Sequence, residues 1–72
     1  MKYKRIEELR ESYDFTQKYI AYQLNISQRT YSHYENGTRQ IPLALLCRLA
    51  DLYNVSTDYI LERTDSKEPY SK

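Results

Sequence analysis

Seventy-two residues hold a single hydrophobic core, and 40% hydrophobic with 29% charged residues is the composition of a soluble globular domain. One glycine, two prolines and no alternating Val/Ile/Thr runs favour an all-α fold, and a net charge of +1 is neutral evidence about nucleic acid. One Cys and one His make no metal site within one chain; with no Gly-rich phosphate loop and no nucleophile-base arrangement, neither enzymatic chemistry nor a cofactor is expected.

Lys4 to Tyr13 places Ile6, Leu9 and Tyr13 at spacings of three and four among charged residues, which predicts an amphipathic helix. Asp14-Phe15 breaks the pattern. Thr16 is the candidate N-cap of a second helix, Gln17 to Leu24, with Ile20, Ala21 and Leu24 on one face. Asn25-Ile26 is a turn, Ser27 a second N-cap, and a third helix runs to Asn36 and stops at Gly37, where a left-handed C-terminal cap is needed. Pro42 suits the first turn of a fourth helix. Leu43 to Tyr53 is the most apolar stretch, with Leu45, Leu46, Leu49, Ala50, Leu52 and Tyr53 covering more than one face. Asn54-Val55 makes a turn, and Ser56 or Thr57 caps a short last helix through Glu62, with Asp58 in its first turn. From Thr64 onward the sequence has no periodicity and predicts a flexible, frayed tail over 64–72, which leaves 1–63 as the folded domain. The expectation is a compact five-helix bundle built around the motif at 16–37.

Angular arithmetic on the third helix separates two sides. At about 100° per residue, Tyr31 and Tyr34 lie within about 60° of each other, flanked by Thr30 and Glu35. Gln28, Arg29, Ser32, His33 and Asn36 fill a separate arc of about 140°. The first side is built for burial. The second carries the donors and acceptors that match base edges and phosphates in a DNA major groove.

With these residues placed, the chain resembles the phage repressor and Cro-like helix-turn-helix family, the XRE family. The resemblance rests on Thr16-Gln17, Ala21, Leu24, Ile26-Ser27-Gln28, Tyr34-Glu35-Asn36-Gly37, Arg39 and Pro42, then Leu49-Ala50 and Asn54 to Leu61. It covers about residues 4–63. It implies five helices, the Ser27 to Asn36 helix in the major groove, the Gln17 helix across the backbone, and a homodimer on a two-fold operator. It also implies that Arg10 and Glu35 form a structural ion pair joining the first and third helices. Two positions depart from the family: Asn25 stands where glycine is usual in the turn, and Tyr31 where an aliphatic residue is usual, so its hydroxyl needs a partner.

Gln28, Arg29, Ser32 and His33 are the candidate base readers, each weighed against a merely solvated helix face. Gln17, Lys18, Ser27, Asn36, Thr38 and Arg39 are candidate contacts to the DNA backbone, which orient without specifying. Nine tyrosines raise the possibility of stacking on single strands, but Tyr13, Tyr31, Tyr34, Tyr53 and Tyr59 fall on apolar stripes and are expected in the core, with Tyr19 and Tyr22 exposed. Cys47 is expected in the core or at an interface. The lone Cys, the lack of an apolar run near the roughly 18 residues of a membrane span and the lack of a signal segment point to the cytoplasm. The reading is a sequence-specific double-stranded DNA-binding transcriptional regulator, a repressor acting by occupancy of an operator. Its rival is a protein-interaction module, an antitoxin or regulatory adaptor, on the same fold.

Overall fold

In the computed structural model, which describes residues 2–68, hydroxyl residues ahead of three of the helices act as caps. Thr16 Oγ1 accepts from the Tyr19 amide at 3.0 Å, Ser27 Oγ from Thr30 at 3.1 Å and Ser56 Oγ from Tyr59 at 2.9 Å. Each satisfies one of the amides left without an intrahelical acceptor, a contribution of about 1 kcal/mol. They open α2 (Gln17–Leu24), α3 (Gln28–Asn36) and α5 (Thr57–Ile60); α1 (Lys4–Ser12) and α4 (Leu43–Tyr53) begin without a side-chain cap. The fold is all-α, with no strand among the described residues.

All five helices end in the same way. An amide five residues on closes back onto a carbonyl: Phe15 onto Arg10, Ile26 onto Ala21, Thr38 onto His33, Val55 onto Ala50 and Arg63 onto Asp58, at 2.8 to 3.0 Å. This closure puts one residue in the left-handed region each time: Asp14, Asn25, Gly37, Asn54 and Glu62, with φ between 55° and 79°. Only one of these five is the glycine that signals such a stop. Asn tolerates the conformation better than most residues; Asp14 and Glu62 adopt it because the hydrogen-bonded closure outweighs about 1 to 2 kcal/mol of steric cost.

The core draws Ile6 and Leu9 from α1, Ile20, Ala21 and Leu24 from α2, Tyr31 and Tyr34 from α3, Leu46, Leu49, Ala50 and Tyr53 from α4, and Ile60 from α5, closed by Ile41 and Val55 from the connections. Burying each of the larger side chains contributes roughly 1.5 to 3 kcal/mol before conformational entropy is subtracted. The result holds α2 and α3 together as one body and leaves the outer side of α3 uncovered.

Several details differ from the expectations. α1 stops at Ser12, so Tyr13 occupies its C-cap, where it is 47% exposed rather than core. Its hydroxyl donates to the Tyr53 carbonyl at 3.3 Å, and its ring joins those of Phe15, Tyr19 and Tyr53 in a surface-to-core row. Tyr59 is half-buried beneath the Arg5 guanidinium, 4.3 Å from its ring centroid. Pro42 is the N-cap residue of α4, one place before the first turn, and Leu43 is 75% exposed. α5 ends at Ile60, because Leu61 and Glu62 already belong to the closing turn. Cys47 is exposed, so it is not a core residue. Arg5 donates to the Thr64 carbonyl at 2.6 Å and to Asp65 at 2.7 Å, so the stretch expected to fray begins with contacts to α1. Residues 69–72 of that stretch lie outside the described residues.

Candidate nucleic-acid interface

α3 is fixed by one buried carboxylate. Glu35 is 1% exposed and accepts four hydrogen bonds: from Arg10 Nε at 2.9 Å and Nη2 at 3.0 Å, Gln17 Nε2 at 3.1 Å and the Tyr31 hydroxyl at 2.6 Å. α1, α2 and α3 thus meet on one charge. Burial pushes the Glu35 carboxyl up, but the hydrogen bonds from Arg10, Tyr31 and Gln17 outweigh it and hold the group below its ordinary range. The bond to Glu35 raises the Arg10 guanidinium, and burial followed by the same carboxylate raises Tyr31. The remaining Arg10 nitrogen donates to the Phe15 carbonyl at 2.9 Å, so each of its three nitrogens makes a bond within the fold. Tyr53 provides the contrast: its buried hydroxyl has no hydrogen-bond partner, and burial pushes its acidity down.

The opposite side of α3 opens onto a concavity of about 550 Å³ lined by Gln17, Gln28, Arg29, Ser32, His33, Asn36 and Thr38. These are candidate readers and candidate backbone contacts together, drawn from α2, α3 and the turn after Gly37. Lys18, Ser27 and Arg39 lie outside it. A cavity of about 490 Å³ between α4, α5 and residues 64–68 contains none of the candidates.

Internal partners sort the candidates further. Gln17 gives its amide to Glu35; Ser27 donates to Thr30 Oγ1 at 2.8 Å; Asn36 donates to Ser32 at 3.3 Å; His33 Nδ1 lies 2.9 Å from Thr38 Oγ1. Gln28 and Arg29 on the exposed first turn of α3, with Lys18 and Arg39, make no side-chain hydrogen bond or ion pair among the described residues. Their donors are the ones a ligand finds unclaimed.

Two positioning residues escaped the sequence reading. Arg48 of α4 donates to the carbonyls of Leu24 at 3.3 Å and Gln23 at 3.0 Å, satisfying the C-terminal end of α2 where the turn to α3 begins. Arg5 likewise reaches the Tyr59 carbonyl at 2.9 Å. All three bonds join residues far apart in sequence to backbone acceptors, and no local pattern marks them.

Two short helices joined by a turn whose Asn25 is left-handed, with the second held down by Tyr31, Tyr34 and Glu35, define a helix-turn-helix module. A family model described as helix-turn-helix matches residues 6–60, and the chain belongs to that family, in its XRE-type branch. The HTH-type transcriptional regulator ImmR of Bacillus subtilis (strain 168) is 42% identical over 62 residues, 86% of this chain and 49% of that protein. The uncharacterized HTH-type transcriptional regulator YobD of the same organism is 38% identical over 65 residues, 90% of this chain and 58% of that protein. The HTH-type transcriptional regulator AnsR, also from it, is 38% identical over 64 residues, 89% and 55%. The chain spans about half the length of the curated relatives it matches. No solved structure gives a significant match. No helix among the described residues is long and apolar enough to cross a membrane.

Proposed function

We propose that this chain is a sequence-specific double-stranded DNA-binding transcriptional regulator that inserts α3 into the major groove and acts by occupying an operator, as a repressor. The observation that carries the reading is the unclaimed pair Gln28 and Arg29 at the exposed start of α3, beside a concavity lined by seven polar side chains. Gln pairs with adenine N6 and N7 and Arg with guanine O6 and N7, each worth about 1 to 3 kcal/mol of discrimination. Lys18 and Arg39 supply phosphate contacts, and Gln17, Ser27, Asn36 and Thr38 add their outward atoms to the same edge. The names of the relatives, transcriptional regulators of helix-turn-helix type, point the same way.

One reading helix is too little for specificity against a genome, so the regulator works as a homodimer, with half-sites about 34 Å apart. Exposed Leu43 and half-buried Leu45 and Leu52 supply apolar surface for that contact. Selection from a randomised double-stranded DNA library tests the reading: an enriched two-fold motif is expected, with salt-dependent binding lost on Gln28→Ala or Arg29→Ala while the fold is kept. No enriched motif, with stable co-purification of another polypeptide, would support the protein-interaction alternative instead.

A further inference from the structure

His33 lines the concavity but is not a free ring. Its Nδ1 lies 2.9 Å from Thr38 Oγ1, and that same hydroxyl lies 3.3 Å from the His33 carbonyl oxygen. Thr38 has one hydroxyl proton and two oxygens or nitrogens within its reach. If the proton turned to Nδ1, the hydroxyl and carbonyl oxygens would face each other with lone pairs across 3.3 Å. If it turns to the carbonyl, the Oγ1 lone pair faces Nδ1, and Nδ1 must carry the hydrogen. The carbonyl also receives the Gly37, Thr38 and Arg39 amides, so the hydroxyl bond is a weak fourth one there. It nevertheless converts an oxygen-oxygen contact into an attraction and completes the closed path Nδ1-H to Oγ1-H to carbonyl.

We infer that Thr38 holds His33 as the Nδ1-H tautomer, so that Nε2 presents a lone pair to the groove and His33 reads a hydrogen-bond donor, the exocyclic amine of adenine N6 or cytosine N4. This rests on the proposal that α3 binds DNA and assigns His33 a specificity within it. The amines are the donors of the major-groove edge, whereas guanine N7 and O6 and thymine O4 are acceptors. A ring with Nε2-H would prefer those instead. Thr38, from beyond the helix, thereby acts as a positioning residue for base choice rather than as an anchor alone.

Two measurements on the full chain decide the matter. Long-range ¹H-¹⁵N spectra of the imidazole read the tautomer directly: Nδ1-H is expected, and Thr38→Val should admit the Nε2-H form. Library selection with the native protein and with His33→Ala locates the base pair whose preference is lost. At that pair, replacing adenine by purine or cytosine by 2-pyrimidinone removes the amine; native binding should fall roughly tenfold and His33→Ala binding should not change further. An Nε2-H tautomer in the native protein, no base pair loosened by His33→Ala, or sensitivity to loss of purine N7 in place of the amine overturns the inference. If a motif still depends on Gln28 and Arg29, the regulator reading survives any of these results. No enriched motif at all overturns both.

Discussion

On its inner side α3 presents Tyr31 and Glu35, whose phenol and both carboxylate oxygens are claimed by partners within the fold; on its outer side it presents Gln28 and Arg29, which have none among the described residues. The same helix therefore carries polar groups of two kinds. What separates them is saturation by internal partners rather than residue type, since Gln17 is spent on the fold and Gln28 is not. A polar residue on a reading helix is available to DNA only to the degree that the protein leaves it unsatisfied.

The strongest way to break this contrast is to empty its inner side. Glu35→Ala leaves the Arg10 guanidinium, whose side chain is only 15% exposed, without its partner. A loss of about 3 to 5 kcal/mol in urea unfolding is expected, and the paired change Arg10→Met with Glu35→Leu should cost less than Glu35→Ala alone. Acid acts on the same group. Its carboxyl titrates lower in the folded chain than unfolded, so its stabilisation is complete above the ordinary carboxylate value and is lost as pH falls through the lowered native value. The stability gap between the native chain and Glu35→Gln should accordingly narrow in that window, as followed by urea titrations at stepped pH.

The outer side should respond in the opposite sense. Arg29→Ala is expected to change unfolding by no more than about 0.5 kcal/mol, yet to lose about 1 to 3 kcal/mol of discrimination in a DNA titration against single-base operator variants. Comparable loss in both assays would erase the distinction. Two buried phenols sharpen it within the core. Tyr31→Phe takes a donor from Glu35 and should cost about 1 to 3 kcal/mol, whereas Tyr53→Phe removes a hydroxyl without a partner and should be neutral or mildly stabilising. The smallest effect concerns the helix ends: Glu62→Gly relieves a left-handed non-glycine residue and should raise stability by up to about 1 kcal/mol.

Much of the frame was legible because its signals are local. Thr16, Ser27 and Gly37 announce α2 and α3 by caps that need only neighbours a few residues away, and the spacing of Tyr31 and Tyr34 separates the buried side of α3 from its open one. The misses follow from what periodicity does not carry. Tyr13 continues the stripe of Ile6 and Leu9, yet α1 closes before reaching it, and Glu62 gives no glycine-like warning that α5 has ended. The engagement of Gln17 by Glu35, and the reach of Arg48 to α2 and of Arg5 to residues 59, 64 and 65, are decided by tertiary packing. Which candidates remain unclaimed is thus visible only once the helices are assembled.

The clasp of Arg5 on Thr64 and Asp65 has a topological consequence. It draws the first and last stretches of the described residues alongside one another, while the Gln28–Asn36 helix is an internal segment. A short peptide linking the C-terminal stretch back to residue 2 would therefore close the backbone into a ring, restrict the unfolded ensemble and leave α3 uncut.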